Sequence, residues 1–119
     1  MKIIKQVIST EGREYYEKHL KIVSCILPTK LTQKEIEVLA FFMSLDKNLI
    51  EEDMFNSLAR KKVMEGLSKM SPGGLGNHLK SMTVKQVLDR HNITKRITIK
   101  SFLIPEESSQ EFQIRLEKR

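Results

Sequence analysis

The residues best suited to chemistry lie in one stretch, "LSKMSPGGLGNHLKSM", from Leu67 to Met82. An asparagine side chain can pair its donor and acceptor with adenine, and a lysine can donate to the acceptors of guanine. Asn77 and Lys80 are therefore candidates for contacts with base edges. The simpler interpretation of His78 is a partly buried, hydrogen-bonded histidine, and the alternative is a DNA contact or a pH switch.

Catalysis and metal binding find little support in the chain. The only cysteine, Cys25, lies among apolar neighbours in "KIVSCILP" and is expected to fill the core of a protein from a reducing, cytoplasmic compartment. No close His or Cys pair has the spacing of metal ligands. Paired carboxylates, a phosphate loop and a nucleophile motif are also missing from the sequence. We expect no enzyme, no metal and no cofactor.

Three glycines, Gly73, Gly74 and Gly76, stand near the start of the helix that this stretch predicts. Each weakens a helix by roughly 1 kcal/mol relative to alanine, so a structural or functional reason is needed. A bulky neighbour such as Phe41 or Met54 could pack over them. Alternatively, the bare backbone could approach a phosphate or sit deep in a DNA groove. Both explanations stay open at this point.

The positive charge is concentrated around the same stretch. Residues 57–100 contain ten Lys or Arg and two acidic residues, whereas residues 1–56 and 101–119 each have a net charge of −1. Such a basic segment is typical of a nucleic-acid surface, although a solvated face of a basic protein is the alternative. The predicted DNA-binding residues are Arg60, Lys61, Lys62, Lys69, Ser71, Gly73, Asn77, His78, Lys80, Ser81, Lys95 and Arg96.

The elements that would position these residues follow from hydrophobic periodicity. A length of 119 residues fits one domain, without an apolar run long enough to cross a membrane and without a signal peptide. We predict a strand at 2–8, a helix from Thr10 towards Pro28, and a helix opened by a Thr32–Glu35 capping box that forms the spine of the core. A helix-turn-helix follows over about 57–82.

In the first helix of that motif, Asn56 or Ser57 is the expected N-cap, and Leu58, Val63 and Leu67 are the expected buried residues. The second opens at Ser71-Pro72 and buries Leu75, Leu79 and Met82.

Residues 83–93 either extend the second helix or form a further short one. The sequence then alternates, which predicts strands over 97–104 and 112–117 joined by the turn "PEESSQ". This hairpin would form a wing over about 95–118. The predicted fold class is α+β: a winged helix-turn-helix with a helical core, a C-terminal β-hairpin wing and an N-terminal third strand.

Two short motifs resemble a known superfamily. "LTQKEIEVLAFF" is similar to the opening of many bacterial winged-helix and LuxR-type regulators, and "MSPGGLGNHLKSM" resembles their recognition helix. The closing hairpin is similar to that of MarR-like proteins. The resemblance implies a DNA-binding regulator in which Ser71 caps the recognition helix. It also implies that Asn77, His78, Lys80 and Ser81 face the major groove.

We therefore expect a small regulator that inserts helix 71–82 into duplex DNA and places its basic residues on phosphates. A homodimer is expected because one module makes few base contacts. Its surface would be the first helix, with Tyr15, Tyr16, Leu20 and Cys25. The alternative is a non-catalytic interaction or structural adaptor, for example in a phage particle or a replication complex, whose glycine-rich helix face seats a protein partner.

Overall fold

Four helices, a short hairpin and a 3-10 turn follow one another in the computed structural model, which describes residues 12–46, 53–68, 70–105 and 117–118. The elements are α1 (Gly12–Ser24), α2 (Gln33–Ser44), α3 (Ser57–Gly66), α4 (Pro72–Val84), β1 (Leu88–Arg90), β2 (Ile97–Ile99) and the 3-10 turn Ser101–Leu103. The expected α+β class, with helices followed by an antiparallel hairpin, is confirmed. The strand expected at 2–8 and nearly all of the one expected at 112–117 lie outside the described residues.

Helix α2 is the centre of the core, as its broadly apolar sequence predicts. It packs against α1, α3 and α4 and buries Ile36, Val38, Leu39, Ala40, Phe42 and Met43. The predicted capping box starts it: Thr32 Oγ1 accepts from the Glu35 amide at 3.1 Å, and Glu35 Oε1 accepts from the Thr32 amide at 2.8 Å. Two amides of the first turn are thereby satisfied by side chains.

Helix α1 ends at Ser24, four residues before the proline that was expected to stop it. The buried Ser24 hydroxyl accepts from the Leu31 amide at 2.9 Å, which fixes the path of the chain into α2. Two details differ from expectation. Cys25 is exposed and does not fill the core, and Leu20 is fully buried and cannot contribute to a dimer surface.

Helix α3 is capped by Asn56, whose Oδ1 accepts from the Ala59 amide at 2.8 Å. Its buried residues are Ala59 and Val63, and the C-cap residue Leu67, one turn further along, is buried as well. The prediction that Leu58 is buried is wrong, because the buried stripe runs through Ala59 and Val63, and Leu58 lies about 100° around the helix from it and is 49% exposed. The buried stripe that starts at Ala59 is difficult to predict from the sequence, because alanine is small and gives a weak hydrophobic signal.

Helix α4 starts as predicted. Ser71 Oγ accepts from the Gly74 amide at 3.0 Å, Pro72 occupies the first turn, and Leu75, Leu79 and Met82 are buried.

The helix extends only two residues past Met82 before it stops. Gln86 adopts a left-handed conformation with φ 65°, and the Val87 amide donates to the Met82 carbonyl at 3.1 Å. This pattern is a Schellman motif.

The segment after α4 forms a strand and not a further helix. Strand β1 pairs antiparallel with β2, with Leu88 opposite Ile99 and Arg90 opposite Ile97. The strand expected at 97–104 forms only over its first three residues, 97–99, and residues 101–103 form the 3-10 turn. Its described partner is the segment 88–90. The reversal at Gln86 explains this, because it directs the chain back towards the core, where Val87 and Leu88 are buried.

Candidate nucleic-acid interface

The outward face of α4 consists of Gly73, Gly76, Asn77, Lys80 and Val84, all of them exposed. These residues recur every three or four positions, opposite the buried stripe of the same helix. Val84, at the end of the helix, is the apolar residue of this face and is 75% exposed. The face thus combines bare backbone, one amide, one cation and one apolar group, with no acidic residue anywhere in the helix.

No described residue covers Gly73 or Gly76. A Cβ added to either would meet no described atom within 4 Å, and one added to Gly74 would contact Ser71 Oγ at 3.2 Å. Packing by Phe41, Met54 or another bulky residue among those described is therefore not the reason for Gly73 and Gly76. Phe41, one of the two candidates for that role, lies instead against Gly66 at the end of α3, where an added Cβ would overlap its ring.

Ser81, which was predicted to face the major groove, is half-buried and does not lie on the outward face of α4. Its hydroxyl donates to Glu35 Oε2 at 2.8 Å, and the other oxygen, Oε1, accepts from Lys85 Nζ. Lys85 also donates to the Lys30 carbonyl at 3.0 Å. The acceptor is a carboxylate 46 positions away in the chain, on a helix that the local pattern of α4 does not reveal.

Glu35 is the centre of this network and is only 2% exposed. Burial raises the pKa of its carboxyl, but hydrogen bonds from Lys85, the Thr32 amide and Ser81, together with the charge of Lys85, lower the pKa by more. The ionised carboxylate therefore joins the start of α2 to α4 and the residue after it. This network holds α4 in a fixed orientation.

The remaining predicted residues of α4 occupy distinct places. His78 is partly buried on the flank of the helix. Ser71 serves as the N-cap, with its hydroxyl oxygen used by the Gly74 amide. Asn77 and Lys80 are exposed side by side with the bare glycines. The face available to a ligand is therefore narrower than predicted and centres on Asn77 and Lys80.

The cations fall into two groups. Lys61, Lys62, Lys80, Arg90 and Lys95 are exposed and form no ion pair with any described residue.

The others have partners. Arg60 Nε donates to the Phe55 carbonyl at 2.8 Å, Arg96 Nε lies 3.9 Å from Asp53 Oδ2, and Lys100 Nζ lies 2.9 Å from Asp89 Oδ1. Lys69 lies outside the described residues.

The loop that joins β1 to β2, residues 91–96, is defined here as the hairpin tip. It contains Lys95 and Arg96, which were expected at the start of a wing formed by strands 97–104 and 112–117, and the cation Arg90 directly precedes it. Arg90 and the exposed Ile93 at this tip were not predicted as site residues, because residues 83–93 were expected to be helical. The only local signal was the short polar run "HNITKR".

The described residues hold no group of three or more His, Cys, Asp or Glu side chains that could bind a metal ion. None of the helices in the described ranges has the length and apolar character that a membrane crossing requires. No protein-family model, curated protein or solved structure matches the chain.

Proposed function

We propose that this chain is a winged-helix protein that binds duplex DNA, with the outward face of α4 in the major groove. One observation carries the proposal: this face is free of acidic residues, bare of side chains at Gly73 and Gly76, and covered by none of the residues that the structure describes. A helix fits the major groove, which is about 12 Å wide. The missing side chains let the backbone of the first turns approach the DNA more closely than a typical helix can.

The polar side chains of this face match the acceptors and donors of bases. Asn77 would form a paired contact with adenine, and Lys80 would donate to guanine. Val84, one turn further along, would supply an apolar contact to a thymine methyl group. Each good paired contact is worth about 1–3 kcal/mol of discrimination, so the helix could prefer a short site.

Lys61, Lys62, Arg90 and Lys95 would neutralise phosphates, since they are exposed and have no described anionic partner. Arg60 and Arg96 contribute less, because Phe55 and Asp53 already engage them. A role in transcription regulation, and a homodimer that doubles the number of base contacts, belong to the same proposal.

The decisive measurement is fluorescence anisotropy of a labelled random duplex at several salt concentrations. Neutralisation of about five phosphates gives a log-log salt slope near −4.5. Lys61→Glu/Lys62→Glu should weaken binding and flatten that slope, whereas Asn77→Ala should leave non-specific affinity nearly unchanged.

The matched control is Lys21→Glu/Lys34→Glu, which makes the same charge change at two exposed lysines of α1 and α2. If both double variants weaken binding equally, net charge alone drives the association and the interface is wrongly placed. No detectable binding at low salt would refute the DNA proposal.

A protein partner is the second candidate, and the exposure of Val84 favours it. Glycines beside an exposed apolar residue also suit close packing of a partner helix. Such a docking surface needs no salt-dependent affinity for random DNA. The anisotropy titration therefore separates the two candidates directly.

A further inference from the structure

Ile93 lies in the hairpin tip and is the most exposed large apolar residue of the described chain, at 86%. An isolated surface leucine or isoleucine is common in proteins and needs no explanation. Ile93 differs because of where it lies, in the loop at the far end of a two-stranded hairpin. The backbone around it is also held in place.

The hairpin tip is ordered by its own hydrogen bonds. His91 Nδ1 accepts from the amides of Ile93 and Thr94, each at 3.2 Å. The His91 amide donates to the Arg96 carbonyl at 2.9 Å, and the Lys95 amide donates to the His91 carbonyl at 2.9 Å. The position of Ile93 is thus fixed without any packing of its own side chain.

The charge around Ile93 is uniformly positive within the loop. The segment "RHNITKR", residues 90–96, contains three cations and no acidic residue. Two described carboxylates beside this segment form ion pairs, Asp89 with Lys100 at 2.9 Å and Asp53 with Arg96 at 3.9 Å. An apolar group flanked by cations is complementary to the inside of a DNA groove, where apolar base steps lie between two rows of phosphates.

We infer that the hairpin tip enters the minor groove and that Ile93 wedges between two base pairs, so that the protein bends the duplex. This inference rests on the proposed DNA binding and adds a second activity to it. Apolar wedges partly unstack a base step and kink the duplex by about 20–90°. Arg90 and Lys95 hold the phosphates on either side of the widened groove. Pyrimidine-purine steps such as TA deform most easily and are the expected site.

The test is energy transfer between dyes at the two ends of a duplex with a central TA step, measured with the full chain. Wild type should shorten the end-to-end distance by an amount that corresponds to a bend of at least about 20°. Ile93→Ser should abolish the bend and change non-specific affinity by less than about threefold, because affinity comes mostly from phosphates. Ile93→Leu should keep the bend.

Two further variants test the scaffold of the tip and the specificity of the effect. His91→Ala removes the acceptor for two amides and should reduce the bend, whereas His91→Asn supplies an equivalent acceptor and should restore it. The matched control is Ile26→Ser, which removes an equally exposed isoleucine beyond the end of α1 and should bend DNA like wild type.

The possible results separate the wedge from the proposed DNA binding. Duplex binding without a bend, or a bend retained in Ile93→Ser, overturns the wedge and leaves the proposed function intact. No duplex binding by wild type overturns both. Binding to phosphatidylserine vesicles that Ile93→Ser abolishes would show that the tip contacts a membrane, and the wedge would again be wrong.

Discussion

At the scale of single residues, Gln86 is the described non-glycine residue next to a helix end whose φ is positive. Its φ of 65° places a side chain in the left-handed region, where glycine is the usual occupant of this position in a Schellman motif. A residue with a Cβ costs roughly 1–2 kcal/mol in that conformation. The buried pair that accompanies the motif, Met82 and Val87, holds the turn in place despite this cost.

We expect Gln86→Gly to stabilise the protein by about 0.5–1 kcal/mol, since the relief of strain exceeds the added entropy of the unfolded chain. Thermal unfolding followed by circular dichroism should show an increase of a few degrees in the midpoint. The control is Gln33→Gly in the first turn of α2, where φ is ordinary and the same change should lower stability. A lower midpoint for Gln86→Gly would contradict this account of the turn.

At the scale of elements, the Glu35 network joins α2 to α4 and keeps the outward face of α4 in position. The folded state lowers the pKa of Glu35 below its ordinary value of 4.5. The carboxylate therefore contributes its full stabilisation above about pH 4.5, and this contribution is lost as the pH falls through the lower pKa of the folded state. Acid should weaken the junction between α2 and α4.

We expect Glu35→Gln to lower the free energy of unfolding at pH 7 by about 3 kcal/mol, because Lys85 loses the partner of a nearly buried ion pair. Urea unfolding at pH 7 and at pH 3 measures it, and the variant should lose less stability on acidification than wild type. The control is Glu37→Gln, which removes a more exposed carboxylate 3.8 Å from Lys34 and should cost less than about 0.5 kcal/mol. Equal pH dependence in Glu35→Gln and wild type would contradict the role of this network.

The helices could be predicted because their signals are local. Thr32 with Glu35, and Ser71 with Pro72, mark helix starts within four residues, and the structure confirms both. The end of α4 could not be predicted in this way, because Gln86 occupies the position at which a glycine usually marks the end of a helix. Its turn depends on burial of Val87 in the folded core.

The candidate site was predicted in part for the same reason. Asn77 and Lys80 lie outward because the helical period alone places them opposite the buried stripe. Ser81 turned inward because a carboxylate on α2 accepts from it. The reason for each glycine could not be predicted either. Only the packed structure shows that the Phe41 ring lies against Gly66, whereas no described residue lies against Gly73.

At the scale of the whole molecule, the segment after the hairpin closes the core against α1. His19 Nε2 donates to the Leu103 carbonyl at 2.7 Å across 84 positions of sequence, and the Leu103 side chain is fully buried. The carbonyl can only accept, so the ring nitrogen must carry the proton. This contact joins one of the first described elements to the last.

We expect Leu103→Ala to lower the free energy of unfolding by about 2–5 kcal/mol through loss of buried surface and the cavity left behind. Because Leu103 belongs to the same core cluster as the helices, the whole described fold should lose this stability in one cooperative step. Circular dichroism at 222 nm and tyrosine fluorescence in urea should therefore shift together, with an unchanged m-value. Phe102→Ala, which removes a larger but half-exposed neighbour, is the control and should cost less. Both tyrosines, Tyr15 and Tyr16, lie on α1. Two separate transitions would therefore mean that α1 unfolds apart from the other helices, and the contact between His19 and Leu103 would then not tie the segment after the hairpin to a single cooperative core.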